Sequence, residues 1–409
     1  MYFGTDNTKA EGAYSLAIGR DTSTKGEGAL AAGRFSKAIG ESSLAAGNNT
    51  EARGRGSVAF GHGSVAQGEN AFVTGISSKV EGNNAAALGK SNTASGAQSF
   101  VTGESNKAEG LDSAAFGKQA TAKGSYSIAA GHGAQANGAV SAAFGTDTVA
   151  SGQNSFTAGM STKATQWNAT ALGERTQANG RNSLATGLNT TASGNTSTAM
   201  GMETKAEGIG AVATGHNTIA KGEYSFSMGE RTEAQGTRAV ATGYATKAMG
   251  VNSFTAGENT QAEGRNSVAT GYKTKANGTN AAAFGEGSEA TGAVSFTAGL
   301  NNKASGQSLT ALGNLSQATG AASFAGGLRT EASGVASTAM GDSTKATGVI
   351  FTAMGWKTEA SGQQSTAIGT LSKSSVHSSF AAGSETEASG AYSLATGNNT
   401  ESVGENSFS

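Results

Sequence analysis

Histidine, aspartate, serine and threonine are the residues with chemistry to offer, and their spacing limits what that chemistry can be. The 409-residue chain holds four His and no Cys. His62 and His132 stand 70 residues apart, with no Cys or second His beside either. Neither has the company a tetrahedral metal site requires. Asp is scattered at Asp6, Asp21, Asp112, Asp147 and Asp342, without the nine-residue recurrence of calcium-binding β-rolls. Ser and Thr return at fixed positions along the whole chain, which marks them as structural, and none is paired with a base. Triplets such as Asn168-Ala169-Thr170 resemble glycosylation acceptors, but they are chance products of an Asn- and Thr-rich sequence. No catalytic group, metal site or cofactor is expected, and the chain does not read as an enzyme.

The recurrence itself is the dominant signal. A seven-residue frame set from Asp6 gives 57 consecutive heptads ending at Gly404, and Gly closes 55 of them. The exceptions are Gln166 and Val376. A helical coiled coil is excluded, because a Gly in every heptad costs about 1 kcal/mol each and the apolar a/d seam is missing. Alternation over five residues bounded by Gly reads instead as a short strand and a corner. The recurrent Gly is expected at a corner needing positive φ or close backbone approach.

Heptads alternate in kind, so the true period is 14. In "NSVATGYKTKANG" (Asn266 to Gly278) an apolar phrase is followed by a polar one on the same skeleton. Both place small residues third and fifth. Positions four and six are apolar in the first type, as Val268 and Thr270, and polar in the second, as Lys275 and Asn277. A coil of two strands, stacked on its neighbours, makes an all-β parallel β-solenoid. The small positions face inward between two close sheets, and positions four and six face outward. Twenty-eight coils at ~4.8 Å would extend roughly 135 Å.

One outward face is polar and the other is apolar along the chain. A soluble monomer would not leave so long a stripe uncovered, and self-association closes it most simply. Phe fills position four at Phe72, Phe100, Phe156, Phe226, Phe254, Phe296, Phe324 and Phe380, with Thr, Ala, Gly or Met at position six. Phe fills position six at Phe60, Phe116, Phe144 and Phe284, with Val or Ala at position four. This exchange of large for small suits close packing about an axis. These Phe are expected to form the oligomer core. An ice-binding face is excluded, because the regular Thr points inward while Lys37, Glu51, Lys79 and Lys107 point out.

Two corners depart from the rule, in "KATQWNATALG" and "KSSVHSSFAAG". Each loses its Gly and is followed by a ring, giving Gln166-Trp167 and Val376-His377. Their backbones are expected to differ from Gly corners, and all four residues are possible contact sites.

The phrases "SLAIG" (Ser15 to Gly19), "STAIG" (Ser365 to Gly369) and "SVATG" (Ser267 to Gly271), each followed by a half-repeat with Ser or Thr at its third position and most fully x-x-[ST]-x-A-x-G after Gly271, resemble the YadA-like head repeat. That repeat belongs to trimeric autotransporter adhesins of Gram-negative bacteria, and related repeats occur in phage fibre proteins. The resemblance implies a left-handed parallel β-roll, a homotrimer with its apolar sheets on the threefold axis, and attachment to host matrix proteins or cell-surface receptors. The alternative is a structural shaft of a phage tail fibre or other extracellular fibre, with recognition carried elsewhere.

Residues 1–409 read as one continuous β-roll domain. No neck, coiled-coil stalk or C-terminal barrel pattern is recognisable, so export and outer-membrane anchoring are expected to depend on segments outside these residues. No stretch approaches the ~20 apolar residues of a membrane helix, and direct membrane insertion is not expected. A net charge of −1 also argues against nucleic acid as a partner. The expected location is extracellular, on a bacterial surface or a virion fibre.

Overall fold

The computed structural model describes residues 1–4 and 7–409; Asp6, where the heptad frame begins, lies outside the described residues. Two compact units divide the chain, Met1–Thr204 and Lys205–Ser409. Each is a parallel β-solenoid in which every strand pairs with its counterpart 14 residues on. Val58–His62 lies against Phe72–Ile76 in the first unit. In the second, Val268–Tyr272 lies against Ala282–Glu286, so that Ala269 faces Ala283 and Thr270 faces Phe284.

The two heptads of a coil form unequal strands. The apolar heptad gives five residues, as in Val268–Tyr272, and the polar heptad gives two, as in Lys275–Ala276. The longer strand runs through its glycine. Gly271 is a strand residue with φ of 122°, so the expected corner at this glycine is instead extended backbone in a region only glycine adopts readily. A Cβ on Gly271 would also strike the carbonyl oxygen of Gly285 in the next coil. The glycine closing the polar heptad has a different reason to be glycine. Gly264 has no positive φ, but a Cβ there would strike the carbonyl oxygen of Gly278.

The left-handed residue of each corner is position two. Asn266 has φ of 55° and Lys273 has φ of 53°. Asn and Gly suit this conformation, yet Val140 at 57° and Ile350 at 64° hold it as well. β-branched residues are strained there. The position-two N–H is anchored by the preceding coil, Asn266 N donating to Val251 O at 2.8 Å.

The interior is a seam of small side chains, as the alternation predicts. Ser267, Ala269, Thr274 and Ala276 are all fully buried. Ser267 Oγ donates to Gly264 O at 2.6 Å and ties the corner to the strand that follows. Larger residues enter the seam in places. Val73, Val80 and Val101 are buried in the first unit, and Leu309 and Phe351 in the second.

Three seam positions carry Asn, which links coils through its amide. Asn106 Nδ2 donates to Thr102 O at 2.8 Å and to Gly117 O at 2.7 Å, while Oδ1 accepts from Ala120 N at 2.7 Å. Asn92 and Asn302 repeat the arrangement. Thr at the same position does less: the buried hydroxyls of Thr148, Thr162, Thr176 and Thr190 have no hydrogen-bond partner.

These contrasts predict four unfolding midpoints. Gly271→Ala loses at least about 3 kcal/mol, combining a forbidden φ with a backbone clash. Val140→Asn gains up to ~1 kcal/mol by relieving a strained left-handed residue. Asn106→Ala loses about 1–3 kcal/mol, because it orphans buried backbone groups, whereas Thr190→Val is close to neutral. Denaturant titration of the four variants checks the order.

Candidate functional site

Outward positions of the longer strands carry the apolar face of each unit. All twelve predicted Phe lie there, none of them enclosed by its own chain. Phe72 keeps 38% of its surface exposed while the seam residue beside it, Val73, keeps none. The rings meet diagonally across adjacent strands. Phe60 and Phe72 have centroids 6.4 Å apart, Phe100 and Phe116 5.7 Å, Phe144 and Phe156 5.9 Å, and in the second unit Phe284 and Phe296 5.7 Å. Such spacing is within the favourable range for tilted aromatic pairs.

Small residues make room for the rings. Phe324 folds over Gly326, where a Cβ would come within 2.8 Å of the ring's Cε1. Phe226, Phe254 and Phe380 have no ring partner and pack beside aliphatic or small neighbours, as Phe254 does between Val240 and Val268. The face is therefore apolar and bulky in one row, small in the next.

The shorter strands present the opposite face. Lys37 reaches Glu51 at 3.2 Å and Lys275 reaches Glu289 at 3.2 Å, each across one coil step. Glu331, Lys345, Glu359, Lys373 and Glu387 face one another in alternating charge along the second unit. Exposed pairs of this kind contribute at most about 1 kcal/mol each. Over this run opposite charges face each other at neighbouring rungs, until Glu387 meets Glu401.

The corners without glycine are less irregular than expected. Ala169 N still donates to Gln166 O at 3.2 Å, and Ser379 N to Val376 O at 3.4 Å, matching Ser183 N to Gly180 O at 3.3 Å. Asn168 and Ser378 keep the usual left-handed φ of 53° and 54°. The side chains are what differ. Trp167 is 50% exposed, with the Arg181 guanidinium 5.2 Å from its ring centre. His377 meets Tyr392 edge to face at 5.3 Å.

The irregular backbone lies elsewhere. At Gly306–Ser308 and Gly348–Ile350 the corner is an open bend and not a hydrogen-bonded turn. The cause is the next residue, because Leu309 and Phe351 occupy a position that elsewhere holds Ser or Ala, and their bulk turns inward. A Cβ on Gly348 would run into the Phe351 ring. The signal was present in the heptad frame, as a large residue at position three.

Among the described residues, no group of three or more His, Asp or Glu converges as a metal site would. The sites with geometric definition are thus the apolar face of each unit and the ring-bearing corners at Trp167 and His377. Against known families, a model described as the YadA head domain repeat, in two copies, matches residues 25–50, 52–78, 108–134 and 164–190. It also matches 178–204, 192–218, 206–232, 220–246, 250–274, 262–288, 332–349, 352–373 and 377–400, together more than half of the chain. No curated protein matches the chain.

Glu51 gives the polar face a measurable pH response. Burial pushes its carboxyl up, but Arg53 and Lys37 outweigh that and hold it below the ordinary value. A depressed carboxylate stabilises the fold above its unfolded pKa, and that contribution is lost as pH falls through the lower folded value. Glu51→Gln is therefore less stable than the native chain at neutral pH, by under about 1 kcal/mol. Unfolding midpoints of the two chains should converge in acid.

Proposed function

The chain belongs to the YadA head domain repeat family, and on that premise we propose that it is a homotrimeric adhesin head displayed outside the cell. It attaches to host extracellular matrix or to cell-surface receptors and performs no catalysis. The observation that carries this reading is the outward apolar face of each unit, where Phe72, Phe100 and Phe156 in the first and Phe254, Phe296 and Phe380 in the second each remain more than one-third exposed. Three chains with these faces on a common axis would bury them, and the family's left-handed β-roll supplies that geometry. Burying one Phe contributes about 1.5–3 kcal/mol, so the twelve dominate association.

With the apolar face enclosed, the polar ladders and the corners are what remains for a host partner. Contacts there are individually weak, and three identical chains multiply them.

Sedimentation equilibrium tests the assembly. A species of three times the 40.1 kDa chain mass is expected, and a monomer overturns the reading of the face. Phe156→Lys combined with Phe254→Lys is expected to dissociate it. Binding of the intact protein to immobilised matrix proteins and cultured cells tests attachment. Uniformly absent binding by a trimer overturns the adhesin reading and leaves a structural fibre segment.

A further inference from the structure

The Gln166 corner holds a concavity of about 270 Å³ lined by Gln166, Trp167 and Arg181. Trp167 is half exposed and has the Arg181 guanidinium over one face of its ring, 5.2 Å from the ring centre. The Arg181 backbone is tied to the next coil, its N–H donating to Asn195 Oδ1 at 3.1 Å. Asn168 and Asn182 flank the corner, joined by Nδ2 to Oδ1 at 2.8 Å. Among the described residues no carboxylate pairs with Arg181, in contrast to Arg175, which lies 3.7 Å from Glu174. The Gln166 amide likewise has no protein partner among them. A cation without a carboxylate partner, an amide without a protein partner and an indole therefore converge at one corner.

The volume is below the ~300–1,000 Å³ of enclosed small-molecule sites and suits a single six-membered ring. An exposed indole stacks on the C–H face of a pyranose, and amides match its hydroxyls. The unpaired guanidinium selects a carboxylate, which it engages through two parallel N–H···O bonds. We propose that this corner binds a carboxylated pyranose, a uronic or sialic acid residue of a surface glycan. The site deepens the attachment reading and rests on it for its biological use. One copy per chain gives weak binding singly and firmer binding when several sugars are engaged at once.

Trp167 and Trp356 are the two Trp of the chain, so Trp356→Phe makes Trp167 the sole indole reporter. Methyl β-glucuronide, methyl α-N-acetylneuraminide and neutral methyl β-glucoside are titrated against the intact protein in that background. At least one acidic sugar should give a saturable change in Trp167 emission with a dissociation constant of about 1–10 mM. Whichever of the two binds identifies the source. The glucoside should bind at least tenfold more weakly, and Arg181→Gln should weaken the acidic sugar by at least about tenfold.

Circular dichroism and assembly mass serve as folding controls for Arg181→Gln, a surface change. Equal binding of the glucoside, indifference to Arg181→Gln, or no saturable change overturns the proposal. A glutamate-rich peptide matching the sugars also overturns it, by reducing the corner to a general anion contact. Matrix binding that survives a failed sugar titration would sink this site alone, whereas absent matrix and cell binding sinks the attachment reading.

Discussion

Within each unit, consecutive coils approach so closely at their glycines that a carbonyl oxygen of one stands where a Cβ of the previous would be. That approach governs the remaining dimensions. It sets the parallel register at a fixed step, brings identical positions into columns, and leaves the two sheets of a coil close together. Ala, Ser and Thr fill the space between them, with Val or Asn in places and Leu309 and Phe351 where the corner opens. A seam of methyl and hydroxyl groups buries little apolar area per residue. The inter-coil backbone hydrogen bonds hold the stack, and the larger apolar side chains are displaced to the outside.

This displacement links fold to function. In a globular domain Phe and Leu would fill the interior. Here the interior has no room for them, as the open bends at Leu309 and Phe351 demonstrate. The longer strand's outward positions become the place where bulk is tolerated, and their bulk asks for a partner surface. The two faces of one coil thus have separate duties. One is largely polar, with stretches of alternating charge such as Glu331 to Glu387, while the other carries rings that meet diagonally across rungs.

Much of this was legible in the heptad frame, because burial alternates with chain position and the frame never slips. Ser267, Ala269, Thr274 and Ala276 were assigned inward, Val268 and Lys275 outward, and the structure places them so. The unequal strand lengths were not legible, since both heptads share one skeleton. Nor was the left-handed role of position two, where Asn266, Lys273 and Val140 share a φ but no chemistry. Glycine drew attention to Gln166 and Val376, yet that corner requires no positive φ, and the turn hydrogen bonds accepted by Gln166 O and Val376 O persist. The Trp167–Arg181 contact could not be read from the sequence either, because it joins residues one coil apart whose proximity depends on the stacking step.

The unbroken frame has a genetic consequence. Because each rung is interchangeable with its neighbours in backbone, unequal crossing-over that copies or deletes one whole coil leaves every remaining residue in its proper environment. A deletion of a single heptad would keep small residues inward but exchange the apolar and polar outward positions downstream of the lesion. Chain length can thus change in steps of one coil without altering the cross-section of the coils that remain.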